Sequence, residues 1–285
     1  MPAERTTGTL HHSPGGVRSS SSVAILAERD RLLVSICLVL TIALAWAYLV
    51  RLAHQMAPAP MADVAAMAAM GMTTNVRWTA VDVLLTFVMW VVMMVGMMTG
   101  AAAPVLLLFA ATRGGRGRRG SSLAVLLFGL GYLTIWVGFS ACAALAQSTL
   151  HQTAMLSSAM AVSSPRVAAT ILIVAGAYQL TPLKRACLAH CRSPLGFLMT
   201  TWRDGKLGAL QMGVRHGAHC LGCCWALMCV LFVVGVMNLG GVIALTGFVL
   251  LEKVGPAGVT VSRLAGVAMI GAGLLTVVEL VAGIS

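Results

Sequence analysis

What most constrains this chain is how far it runs without a charge. Between Arg215 and Glu252 there is none, and predominantly apolar runs recur at about 32–50, 80–111, 122–146, 167–183, 207–236, 239–251 and 264–283. An apolar stretch of about 20 residues matches the hydrocarbon thickness of a bilayer. Only 9% of the 285 residues are charged and 59% are hydrophobic, whereas a soluble domain carries about a quarter charged residues. The pattern predicts an all-α fold: a polytopic integral membrane helical bundle of about seven transmembrane helices in the cytoplasmic (inner or cell) membrane. The sixth run is short for a span and is expected to tilt or to pack half-buried on its neighbours.

Charge placement orients that bundle. With the N-terminus inside, fifteen Lys and Arg fall in cytoplasmic segments. Arg51, Arg77 and Arg166 fall outside, and Arg215 lies just within a helix. This is the positive-inside pattern, and it gives an N-in, C-out topology. The net charge of +11 is therefore read as an orientation signal, with the lipid bilayer as partner and no nucleic acid. Residues 1–30, with two histidines, a serine run and Gly-Gly, read as a disordered cytoplasmic tail. Residues 31–285 read as one transmembrane helical domain. The polar leader is long and the run at 32–50 exceeds a usual signal-peptide core, so that run is expected to be a retained helix.

Soft metal ligands are concentrated in the fifth run. Residues His216 to Cys224 read H-G-A-H-C-L-G-C-C. On a helix His216, Cys220 and Cys223 share a face at i, i+4 and i+7, and His219 and Cys224 are alternates one turn apart from cluster members. Intramembrane polar side chains are costly and face a bundle interior or a pathway. A first-row metal needs two to four such ligands converging, so a second helix must contribute. The bland alternative, cysteine as a small buried hydrophobe, suits the isolated Cys37, Cys142 and Cys229 better than five ligand-type residues in nine positions.

Two further groups could join. Met89, Met93 and Met97 recur every four residues in the second run. Such a stripe is more often packing than a binding face. Counted at 1.5 Å per residue, however, Met89 and His216 both fall about 14 Å into the bilayer. Thioether, thiol and imidazole together suit Cu(I), while zinc has no need of the thioethers. Cys187, His190 and Cys191 lie on one face of a helical turn in the segment after Tyr178, read as a cytoplasmic loop. There Lys184, Arg185 and Arg192 would favour thiolates, or would simply meet anionic lipid. The outside segment from Arg51 to Arg77 holds His54, Met56, Met61, Met67, Met70 and Met72, either a loose Cu(I) trap or filler in an interfacial helix. Glu252 and Lys253 read as a helix-end ion pair.

The sequence thus points to Cu(I) handling, with zinc as the other candidate ion and a second membrane protein or copper carrier as a possible partner. His216, Cys220 and Cys223 would be the principal ligands, Met93 and Met97 soft partners, and Cys187 and Cys191 a receiving or releasing pair. Two alternatives remain: a thiol–disulfide or haem-linked redox protein using Cys220/Cys223 or His216, and a scaffold subunit. No hydrolase, kinase or zinc-protease motif is present, so catalysis is not favoured.

The segments Met89-Trp90, Met93, Met97-Met98, Ala175-Gly176, Tyr178 through Cys187, Cys191-Arg-Ser-Pro194, Gly213 through Gly217, Cys220-Leu-Gly-Cys223-Cys224-Trp225, Met228, Gly235, Met237-Asn238 and Glu252-Lys253 together carry a resemblance. The chain resembles a bacterial and archaeal family of predicted metal-binding integral membrane proteins classed as a domain of unknown function, over about residues 80–280. The Cys/Trp segment is specific; the Met helix alone would not be. Thr99-Gly100 and Gly240-Gly241 depart from the family's Leu-Pro and Trp-Met, which bears on helix kinking and packing. What the resemblance implies is metal binding.

Overall fold

The computed structural model describes residues 16–55, 78–114, 121–157 and 160–283. Among them the secondary structure is helical apart from one isolated bridge, Leu156 to Val162. In chain order the helices are α1 (Gly16–Gln55), α2 (Ala80–Gly114), α3 (Ser121–Gln152), α4 (Pro165–Leu180), α5 (Pro182–Arg192), α6 (Pro194–Thr201), α7 (Gly205–Val234), α8 (Leu239–Val254) and α9 (Gly258–Ala282). Helix α1 starts at Gly16. Met56, Met61, Met67, Met70 and Met72 lie outside the described residues.

Among the described residues five helices are long and apolar enough to cross a membrane, or six if the bent pair α4–α5 counts as one span. The expectation of about seven is corrected accordingly. Runs 167–183 and 239–251 fold into the 16-residue helices α4 and α8, each about 24 Å long at 1.5 Å per residue. That is short of a hydrocarbon core of about 30 Å. Between α4 and α5 the axis turns by 65°. Pro182 opens α5, and Thr181 caps it by accepting from the Lys184 backbone N–H. Proline has no N–H to continue α4 and favours a helix's first turn. The segment read as a cytoplasmic loop is therefore an amphipathic helix packed on α7.

Helix α7 is the axle. Helix α3 runs parallel to it in very close approach: a Cβ at Gly213 would overlap the Phe128 carbonyl, and one at Gly217 would lie 2.9 Å from the Tyr132 carbonyl. Small residues let helix backbones meet in this way. Helix α2 is antiparallel to α7. Met89 and Met93 share a small cavity with Val236 and Met237 at one end, and Phe109 meets Trp202 at the other. Helix α1 is antiparallel to α2, with Ala45 facing Gly96 and Ile42 facing Gly100. Helix α4 is antiparallel to α7, since Val162 meets Phe232 and Tyr178 bonds the Gly222 carbonyl. Helix α9 packs back along α4 through Gly176, Gly266 and Gly273. Helices α1, α7 and α9 thus all point the same way.

The polar interior is concentrated where α4, α5, α8 and α9 meet. Lys184 is fully buried and reaches both carboxylate oxygens of Glu252 at 2.9 Å. It also bonds Gln179, which accepts from Ser262 at 3.2 Å. Arg192 donates to the Glu252 carbonyl at 2.6 Å. A buried charge is tolerated when paired and hydrogen-bonded. The Glu252–Lys253 pair expected from sequence does not form, because Glu252 belongs to Lys184.

Candidate functional site: a buried thiol cluster

Helix α7 carries Cys220, Cys223 and Cys224 inward, and α5 brings Cys191 against them. All four are buried free thiols. Cys223 Sγ lies 3.2 Å from Cys224 Sγ and 3.8 Å from Cys191 Sγ, and it donates to the Cys220 carbonyl at 3.1 Å. The 65° turn between α4 and α5 makes this possible, because it lays α5 across α7 with Lys184, Leu188 and Cys191 facing in.

Two groups outside the cysteine helices complete the cluster. Lys253, from the end of α8, donates its Nζ to Cys220 Sγ at 2.8 Å. The Tyr132 hydroxyl of α3 donates to the Met98 carbonyl at 2.9 Å and lies 3.0 Å from the same sulfur. Tyr132 fixes the register of α2 against α7: Met98, not Met89, is level with Cys220. Met89 and Met93 lie nearer the C-terminal end of α7, in the cavity lined by Val236 and Met237. Met93, Met94, Met97, Met98 and Met228 are all buried in the same core.

The other expected residues are placed as follows. His216 is buried one turn before Cys220 in an aromatic box, with ring centroids 5.0 Å from Phe197, 5.7 Å from Tyr132 and 6.2 Å from Phe128. Its Nδ1 is buried without a hydrogen-bond partner. His219 turns away and stacks on His190, centroids 4.5 Å apart. Each of these rings uses Nδ1 on the carbonyl four residues back, Arg215 and Ala186 respectively. Cys187 is half-buried beside Gly222, where a Cβ would come within 2.8 Å of its sulfur. Lys184 and Arg192, expected to bias the α5 thiols, are instead engaged with Glu252.

Among the described residues no group of three or more His, Cys, Asp or Glu side chains surrounds a common point as a metal site would. The thiols touch one another rather than encircling a centre. Metal–sulfur bonds of about 2.3 Å require sulfurs roughly 4 Å apart in trigonal coordination. The Cys191–Cys223 separation of 3.8 Å is close to that spacing and the Cys223–Cys224 contact of 3.2 Å is shorter, so the donors are of a type suited to a soft ion though closed around none. Sequence reasoning missed Tyr132 and Lys253. Tyr132 carries no local signal, and Lys253 stands next to Glu252 in the sequence while its contact is with Cys220 on α7.

The site therefore defines a class: an all-helical protein with long apolar helices and a buried, lysine-capped cluster of soft ligands. The comparisons narrow it. Residues 87–276 match the PpoB2 family, described as copper chaperone, and the chain belongs to that family. No curated protein and no solved structure matches it.

Proposed function

We propose that this chain is a multi-pass integral membrane protein that captures Cu(I) in the α5/α7 thiol cluster and passes it to a copper-requiring partner. The observation that carries the reading is the convergence of Cys191 with Cys220, Cys223 and Cys224, four free buried thiols from two helices. The family supports copper as the cargo, and thiol and thioether donors are those a soft monovalent ion prefers. Membrane embedding is supported by large apolar side chains on the exterior: Leu44 of α1 is 70% exposed and Val281 of α9 is 84% exposed. A soluble monomer rarely exposes such a surface so extensively.

In this reading Cys220 and Cys223 are the principal ligands, with Cys191 and Cys224 able to exchange for either. His216 supplies a nitrogen one turn away. Cys187, with the half-exposed His190–His219 pair at the rim, forms the entry or exit step. Met97 and Met98, level with the cluster, and Met93 beyond them offer soft positions along α2 toward the far end of the bundle. The proposed orientation is N-in, C-out.

The test is elemental analysis of protein purified in detergent under reducing conditions, wild type against the Cys220→Ser, Cys223→Ser double variant. Near-stoichiometric copper in the wild type and none in the double variant is the expected result. Zinc in place of copper would retain the cluster and remove the role of the methionines. Absence of metal after Cu(I) loading would sink the reading and leave a dithiol relay as its successor.

A further inference from the structure

The end of α8 places two opposite charges side by side in the interior, and only one of them pairs with an opposite side-chain charge. Glu252 is 1% exposed and Lys253 6% exposed. Glu252 is held by Lys184, both oxygens at 2.9 Å. Lys253 has no carboxylate within ion-pair distance among the described residues, and its nitrogen rests on Cys220 Sγ at 2.8 Å. A buried ammonium is stabilised by a nearby anion, and the group its nitrogen touches is the Cys220 sulfur, so a negative charge formed on the thiol cluster would lie directly against Lys253.

We infer that Lys253 is the built-in counter-charge of the copper site, and that it limits the cluster to one Cu(I) held by two of its four thiols. The inference rests on the copper reading above and goes beyond it. Two thiolates and one Cu(I) make a complex of charge −1, and the Lys253 ammonium brings the buried site to neutrality. A third thiolate on the same ion, or a second thiolate-bridged ion, breaks that balance in a region of low polarity. No electron moves: Cu(I) leaves the donors that deliver it, two Cu–S bonds form, the protons of the bound thiols pass to water, and copper stays Cu(I). Lys253 acts as a positioning residue, since it touches Cys220 and does not bond the metal.

The experiment uses the full chain in detergent. Cu(I) affinity and stoichiometry are measured by competition with a chromophoric Cu(I) chelator, and the number of sulfur neighbours by X-ray absorption. Wild type is expected to bind one Cu(I) with two sulfurs. Lys253→Met should lose at least about tenfold in affinity, because unit charges a few ångströms apart interact by more than this even at an effective dielectric of about 20. Lys253→Arg, which keeps the charge, should stay within about threefold of wild type. A Lys253→Met protein with wild-type affinity, or a wild type holding two ions or three sulfurs, overturns the inference while leaving the copper reading intact. A wild type that takes up no thiol-bound Cu(I) overturns both. Should Lys253→Met fail to fold, the wild-type stoichiometry and sulfur count decide the matter.

Discussion

At the scale of single residues, the cluster depends on side chains that meet across the fold rather than along the chain. The density of His216, His219, Cys220, Cys223 and Cys224 is visible in the sequence and marks the place. Their division of labour is not. Residues at i and i+3 share a face only when the rest of the interior agrees, and here α5 takes His219 outward onto His190 while Cys220 and Cys223 stay inside. The Glu252–Lys253 misassignment has a simple cause: adjacent residues on a helix point about 100° apart and do not face each other. Tyr132 gives the sharpest residue-level prediction. Tyr132→Phe removes the bond to Met98 and the contact with Cys220 and should cost about 1 kcal/mol, seen as a lower unfolding temperature in detergent. Copper stoichiometry should not change, because the hydroxyl is not among the proposed ligands; loss of copper would make Tyr132 part of the binding set.

At the scale of elements, the apolar runs announced the helices, but not where a helix stops short or turns. The run read at 167–183 passes through Pro182, where the structure ends one helix and opens the next. The 65° turn that swings α5 onto α7 depends on Lys184 finding Glu252, 68 positions away, and no local pattern encodes that. The α3–α7 contact is the most exacting join in the bundle, because Gly213 lies directly against the Phe128 carbonyl. Gly213→Ala should force the two helices apart and destabilise by about 1–3 kcal/mol, the usual range for overpacking. Gly138→Ala, on the same α3 with nothing within 4 Å of its Cβ, is the control. It should be neutral, or stabilising by up to about 1 kcal/mol through helix propensity. Thermal unfolding of both variants side by side checks the contrast; equal costs would mean that α3 and α7 do not pack as described.

At the scale of the whole molecule, the question is which face of the membrane each end occupies. A count of spans alone gives conflicting answers: five crossings put the termini on opposite faces, and six put them on the same face. Packing decides between them. Helix α2 is antiparallel to both α1 and α7, and α4 is antiparallel to both α7 and α9, so α1, α7 and α9 all run the same way. Between α3 and α7, and between α7 and α9, the chain runs back through the 16-residue helices α4 and α8. In the proposed N-in, C-out topology the basic residues near the N-terminal end of α1 put that end in the cytoplasm and the end of α9 outside. A C-terminal alkaline phosphatase fusion should therefore be active and a C-terminal fluorescent protein fusion dark, with the opposite result for fusions at Arg203, in the α6–α7 connection. A fluorescent C-terminal fusion would mean that α8 does not act as a return segment.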